Sequence, residues 1–369
     1  MERKEASVVK QFYAGLDVGS SVCEVVAIDE SEGPVAALKV STSGPNLLTA
    51  IREMRRAHPG KWWLAVEEGE LAQWVADLLR ADVERLIVCD PKRNAWIARD
   101  PGKNDQVDAT KLAKLLKGGF LAPIYHSADA NRTDFKRAVQ HYHDLTRTQA
   151  GLKCQIKSRL RAYGIVVRGS EVFGAGAREE QLKGMPTETG RQLLRQLFEL
   201  LDQAGRTQEK ARRLMVAMGR VFPEVARFEE VPGIGPVWAC TFSAYIQTPE
   251  RFKSKRQLWR YCRLGITNRR SNGEPLGRQR LDSGGVGILK ALSFQAFCAA
   301  RAAGDNEFDR HYEESMARTG DKTHARLNTQ RKILAVLYGM WKRNEPYRPN
   351  RAEGGAAQAK EATKSAEVR

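Results

Sequence analysis

The chain has 369 residues, 42% of them hydrophobic, and its 61 Lys and Arg against 44 Asp and Glu give a formal net charge of +17. Such a length allows two or three domains with cores of their own, and such a charge points to a polyanionic partner, nucleic acid before a membrane surface. Against the membrane, no apolar run approaches the ~18–20 residues of a spanning helix, and the start "MERKEASVVKQ" lacks the apolar stretch of a secretory signal. The six cysteines form no CxxC and stand near no His at zinc-like spacing, so reduced thiols in a cytoplasmic protein are expected.

In chain order, "FYAGLDVG", "SVCEVVAID" and "PVAALKVS" read as three strands separated by turn residues. "GPNLLTAIREMRRA" has helical spacing at Leu47, Leu48, Ile51 and Met54. "KWWLAVE" is a strand, "ELAQWVADLLR" a helix and "VERLIVC" a strand, and helices are expected over "PKRNAWIAR" and "DQVDATKLAKLL". The order β-β-β-α-β-α-β-α predicts a mixed sheet covered by helices, the order of the ribonuclease H-like fold.

After Ala128 the strand pattern stops. "TDFKRAVQHYHDLTRTQAGLKCQIKSRLRAYGI" and "TGRQLLRQLFELLDQAGRTQEKARRLMVAMGR" are long, charged and amphipathic, with Leu193, Leu194, Leu197 and Leu200 at 3–4 spacing. They predict an antiparallel helix pair or coiled coil, with "RGSEVFGAGAREEQLKGMP" as the loop between. A third, helical segment opens with "VPGIGPVWACTFSAYI", and the tail "RAEGGAAQAKEATKSAEVR" has a disordered composition. The expected organisation is an α/β domain over residues 1–127, paired helices over 128–227, an all-α domain over 228–345 and a tail over 346–369.

"RDPGKNDQVDATKLAKLL" sets Asp105 and Asp108 three residues apart in a basic run that includes Lys92, Arg93 and Lys103. Taken alone, two acids at a helix start are caps that favour the dipole. Three further features point to metal. Residues i and i+3 share a helix face. Asp17 interrupts the apolar strand "AGLDVG", where an acid is costly unless paired or bound to a cation. Glu67 and Glu68 close "WWLAVE", which a sheet of this order places beside the first strand. Clustered carboxylates suit hard divalent cations such as Mg²⁺, and two such ions ~3.5–4 Å apart can serve both oxygens of a phosphodiester exchange.

"YAGLDVGSS", "LAVEEG…W", "VCDPKRNAW" and "KNDQVDATKLAKLL" resemble the DEDD transposases of insertion sequences, the group related to a pilin-gene DNA invertase and known as bridge-RNA-guided recombinases. The pattern D-x-x-D-A-x-x-L-A-x-L is its most specific part, and the resemblance extends over nearly the whole chain. It implies an RNase H-like (RuvC-like) amino-terminal domain with a metal-binding catalytic quartet of Asp17, Glu67, Asp105 and Asp108, Glu68 being the alternative to Glu67.

"VPGIGPVWACTFSAYI" resembles a helix-hairpin-helix, in which the turn at Gly233 and Gly235 offers backbone N–H groups to a phosphate; an ordinary helix-joining turn is the plain alternative. In "ITNRRSNGEPLGRQRLDSGGVGILK", Ser-Asn-Gly by itself reads as a turn. The resemblance places a nucleophilic serine there, at Ser271, with Ser283 as the weaker candidate, and Arg269, Arg270 and Arg278 available to a phosphate. It further implies DNA as substrate, a guide RNA, a dimer or tetramer whose composite sites join the quartet of one chain to the serine of another, and action at the nucleoid of a bacterial or archaeal cell. Trp96, Trp259 and Tyr261 could stack on bases, against core packing as the plainer reading. The rivals are an actin-like ATPase or sugar kinase, with "GLDVGSS" and "LDSGGVG" as phosphate loops, a junction-resolving nuclease without serine chemistry, and a non-catalytic RNA-binding protein.

Overall fold

Alternating β-branched residues at the amino end form a three-stranded antiparallel meander: β1 (Gln11–Val18), β2 (Val22–Ile28) and β3 (Pro34–Ser41). The structure is a computed structural model and describes residues 9–91, 105–267, 270–271, 274–275 and 280–349. Helix α1 (Gly44–Ala57) follows, capped by the Ser43 side chain, then β4 (Lys61–Glu67), α2 (Ala72–Leu79), β5 (Arg85–Cys89), α3 (Asp105–Lys117) and the short β6 (Pro123–Ile124). The sheet order is β3-β2-β1-β4-β5-β6, with β4 parallel to both β1 and β5 and the remaining pairs antiparallel. This is the mixed sheet of an RNase H-like domain, in the element order read from the sequence.

Strand alternation gives the sheet two faces. Phe12, Ala14 and Leu16 join Trp62, Leu64 and Val66 in a core completed by Leu47, Ile51, Met54, Val75 and Leu79 from α1 and α2. The opposite face packs Ala65 and Cys89 against Leu112 and Leu116 of α3. Full burial of each large aliphatic side chain is worth roughly 1.5–3 kcal/mol.

The chain divides into two compact units, residues 1–128 and 129–369. In the second, α4 (Ala130–Ala162) and α6 (Glu188–Gly219) lie side by side as an antiparallel pair, each about 50 Å long at 1.5 Å per residue. Ile156 and Leu160 meet Leu194, Phe198 and Leu201 at one end, and Phe135 and Val139 share a core with Met215 at the other. The buried stripe of α6 runs through Leu194, Phe198 and Leu201, whereas Leu193, Leu200 and Leu214 are exposed. The segment expected as a loop between them is helical in part: a 3-10 turn at Glu171–Phe173 leads to α5 (Ala175–Gly184). "AREEQLK" is built of good helix formers, and Arg178 ties α5 to α6 through a two-pronged contact with Asp202, 2.8 Å on each arm.

The carboxyl-terminal helices are α7 (Pro223–Glu229), α8 (Pro236–Ile246), α9 (Lys255–Tyr261), α10 (Gly287–Ala303), α11 (Glu307–Thr319) and α12 (Lys322–Arg343). They enclose one core, from Phe228 and Phe242 to Leu334 and Leu337, which also takes in the base of the α4–α6 pair. A buried ion pair marks that junction: Arg132 of α4 donates to Glu224 of α7 at 2.8 Å, Ser243 donates to the same carboxylate at 2.6 Å, and the guanidinium stacks on Phe222 and Trp341. Between α9 and α10 the mainly helical unit carries four two-residue strands. β7 (Ile266–Thr267) pairs with β10 (Arg280–Leu281), and inside that bracket β8 (Arg270–Ser271) pairs with β9 (Glu274–Pro275). The two residues joining β8 to β9 are Asn-Gly, the pair that most favours a tight hairpin.

Candidate active site

Asp17 and Glu67 occupy equivalent ends of neighbouring parallel strands. The β1–β4 register ends at Leu16 opposite Val66, so the next residue on each strand is one of these acids. Both follow Gly15 and Ala65 on the face that α3 covers, because they lie two residues further along their strands. On α3, Asp105 and Asp108 continue the stripe of Ala109, Leu112 and Leu116 that meets the sheet. The sheet thus delivers two carboxylates and the helix two more to the same end of one face.

Small residues make this approach possible. A methyl group at Gly15 would lie 2.0 Å from the Ala109 carbonyl oxygen and 2.8 Å from Leu112 Cβ, so α3 rests directly on the β1 backbone. No side chain fits there without pushing the helix off the sheet. Gly15 stood in the quoted motif, yet the demand for glycine comes from a helix almost a hundred residues away.

The electrostatics follow from the geometry. The Asp17 carboxyl is pushed above its ordinary range, first by burial and then by the fields of Asp105 and Asp108. Glu67 is pushed up by burial, then by Asp17 and Asp108. Burial and like charge both disfavour the ionised form. Among the described residues Lys111 pairs with Asp108 at 3.9 Å on the same helix. Among the described residues no three Asp, Glu, His or Cys side chains converge tightly enough to enclose a metal ion. The four acids stand within each other's fields without closing on one point, as mutually repelling anions do. Their donor set, all carboxylate oxygen and half desolvated, nevertheless fits a hard divalent cation rather than a soft one.

Glu68 is engaged elsewhere. Its carboxylate lies 2.5 Å from His126 Nε2, and His126 Nδ1 lies 2.7 Å from Gln73 Oε1. Gln73 in turn donates to the Ser127 carbonyl at 3.2 Å. This His–Gln latch pulls Glu68 away from Asp17 and leaves Glu67 facing the other acids. Nothing in the local sequence announces it, since His126 and Gln73 are 53 residues apart.

The α7–turn–α8 hairpin is present, but Gly233 answers a packing demand: its φ is +87°, and a methyl group there would lie 2.2 Å from the Ala296 carbonyl of α10. Gly235 precedes α8 and faces open space. Ser271 ends β8, in register with Glu274, and Arg270 shares that strand. Ser283 is exposed just after β10. "LDSGGVG" leads into α10 and opens no second sheet among the described residues, unlike the second phosphate loop of an actin-like ATPase. Trp259 and Tyr261 are held inside the fold, the indole N–H donating to the Arg331 carbonyl and the phenol to that of Tyr245. Lys92, Arg93, Trp96, Lys103, Arg269 and Arg278 lie outside the described residues.

A transposase model of the DEDD type named for IS110 matches residues 14–165, the stretch that contains all four acids. A second, described as the transposase IS116/IS110/IS902 family, matches residues 225–313, the stretch that contains α7, α8 and the small strands. The chain belongs to the IS110 family of DEDD transposases. No curated protein is matched by it. An IS110-family transposase acts on DNA, and DEDD domains generally use divalent metal ions. None of its described helices is long and apolar enough to cross a membrane.

Proposed function

We propose that this transposase exchanges DNA strands at a site built from Asp17, Glu67, Asp105 and Asp108, working with Ser271 as nucleophile. The observation that carries the reading is the delivery of four acids, from β1, β4 and α3, to one end of a single sheet face. Two Mg²⁺ ions are the cations best suited to that donor set; when bound they supply Lewis-acid activation of the attacking oxygen and stabilise charge on the leaving oxygen.

The chain's own residues do the rest. The carboxylates hold cation charge beside the scissile phosphate, and desolvation of Asp17 and Glu67 strengthens that hold. Ser271 Oγ forms a bond to phosphorus as one P–O ester bond breaks, and the serine proton ends on the departing hydroxyl. A second transesterification then transfers the phosphate to a new hydroxyl and frees the serine, so no phosphodiester energy is lost. Arg269, Arg270 and Arg278 are placed in sequence to neutralise charge on that phosphate, and Lys92, Arg93, Lys103, Gly233 and Gly235 are read as contacts to nucleic acid. A guide RNA is taken as the source of target choice, on the resemblance and on the charge of +17. Assembly into a dimer or tetramer is supported by the exposed Leu193, Leu200 and Leu214, which stand at seven-residue multiples along α6. The site of action is wherever the cell keeps its DNA, the cytoplasm of a bacterium or archaeon.

The test is complementation. Ser271→Ala and Asp105→Asn proteins should each be inactive in Mg²⁺-dependent strand exchange with element ends and the adjacent non-coding RNA. Mixed, they should recover activity if one chain's serine works with another chain's acids. A covalent protein–DNA adduct that persists in Ser271→Ala and maps to Ser283 would reassign the nucleophile and leave the acids in place.

A further inference from the structure

The carboxyl-terminal unit contains a groove of about 1300 Å³ between α9, α11, α12 and the segment entering β7. We infer that this groove grips the phosphate backbone of the DNA substrate through Arg256, Arg318, Arg331 and Arg348. The inference rests on the chain being a DNA transposase and is independent of which residue is the nucleophile.

Arg331 is the first observation. Its guanidinium is half-buried, and desolvation holds its pKa below the ordinary arginine value. Its described hydrogen bonds go to neutral groups, the Leu264 carbonyl at 2.8 Å and Asn328 Oδ1 at 3.3 Å, and no described carboxylate pairs with it. A desolvated cation without a counter-ion costs several kcal/mol unless an anion arrives. Because Arg331 lines the groove, the anion it awaits comes from outside the chain.

The rest of the lining separates spent charge from free charge. Arg260, Lys332 and Arg343 are held by Asp282, Glu307 and Glu345. Arg256, Arg318 and Arg348 are exposed and have no hydrogen bond or ion pair among the described residues. Three free arginines around a fourth that is desolvated form a site for several phosphates in a row, since guanidinium groups match phosphate oxygens in pairs.

The lining also argues for backbone over base. Trp259 is pinned by its bond to the Arg331 carbonyl and carries Lys255 over its ring, so it is held in place within the lining and is no free-swinging platform for bases. Without a stacking platform, single-stranded binding loses its main source of affinity, while a duplex needs only phosphate contacts. Leu264, Gly265 and Ile266 form one wall, and the Arg331–Leu264 bond anchors the residues leading into β7.

The experiment is an anisotropy titration of the full chain with a labelled duplex of mixed sequence and with a single-stranded RNA of equal length. A chelator is present throughout, so that failure of the metal-site reading would not affect the result. Each phosphate contact contributes about 0.9 to the slope of log affinity against log salt, which is about fivefold in affinity at ~0.15 M salt. The triple variant Arg256→Gln/Arg318→Gln/Arg348→Gln should therefore bind duplex DNA on the order of 100-fold more weakly, with the slope reduced by about 3. A charge-matched control, Arg52→Gln/Arg137→Gln/Arg195→Gln, removes arginines already paired with Asp82, Asp134 and Glu188 and should bind nearly as the wild type does. Arg331→Gln should weaken DNA binding with an unchanged melting temperature; should it fail to fold, the exposed triple decides alone. Equal losses in both triples would reduce the effect to net charge and overturn the inference. So would unchanged binding in the groove triple, or a loss confined to RNA.

Discussion

The sheet face around Asp17 and the groove around Arg331 gather charge of opposite sign. In the first, burial and neighbouring acids push the pKa values of Asp17 and Glu67 up, and Lys111 pairs with Asp108 among the described residues. In the second, a half-buried guanidinium has only neutral partners among the described residues. Folding alone would favour neither, because desolvated charge without a partner is a cost. The difference teaches what each would welcome: a cation at the first, an anion at the second. On the proposed function, divalent ions answer the first and a DNA backbone the second.

The largest expected effect breaks the acid side. Glu67→Gln should reduce strand exchange by about 10³-fold or more, since lost metal stabilisation is worth several kcal/mol. Glu68→Gln removes only a rim contact with His126 and should stay within about fivefold of wild type, the scale of an exposed ion pair. The reverse ranking, measured on the same substrate, would move the metal ligand to Glu68.

Acidity sharpens the comparison next, because the helical unit buries a group that must stay neutral. His143 Nε2 lies 2.8 Å from Thr241 Oγ1, whose own proton goes to the Val237 carbonyl at 2.7 Å, so the imidazole donates from Nε2. Burial holds its pKa at about 4 against an ordinary 6.5. The folded state then binds fewer protons than the unfolded one between those values, so stability is full above pH ~6.5 and is lost as pH falls through ~4. The loss amounts to at most about 3 kcal/mol. Chemical denaturation of wild type and His143→Gln over that window should show the wild-type decline flattened in the variant; parallel declines would assign the acid sensitivity to other groups.

The smallest expected effect tests how the acids are delivered. Gly15→Ala should destabilise the protein by about 1–3 kcal/mol, the usual cost of overpacking, by lifting α3 from β1. It should also shrink the rise in melting temperature on adding Mg²⁺, because Asp105 and Asp108 move with α3. A variant that melts lower but keeps the full Mg²⁺ shift would show that α3 contributes packing and no ligands.

Much of this was legible in the chain because the signals are local. Alternation and helical spacing depend on neighbours within one turn or one pleat, so the β-β-β-α-β-α-β-α order and the two long helices could be read directly. An acid inside an apolar strand and two acids at i and i+3 are likewise local, which is why Asp17, Asp105 and Asp108 stood out. The short strands β7 to β10 escaped because two-residue strands carry no periodicity, and α5 escaped because glycines flank it. The exposure of Leu193 and Leu200 also escaped, because spacing marks a stripe without saying which edge of it a neighbour covers.

By itself the sequence determined the longer elements, the basic balance and the candidate acids, since propensity, period and charge are properties of the chain. Only the tertiary structure showed that Glu68 is engaged by His126 and Gln73 while Glu67 lies in the fields of Asp17 and Asp108, because these contacts reach across the fold. Only it showed that Gly15 is needed for the approach of α3 and Gly233 for that of α10, since a close contact belongs to two segments at once. And only it showed that Arg331 has neutral partners and no carboxylate among the described residues: the sequence counts 61 basic residues, but which of them meet an acid depends on where 44 acids come to lie.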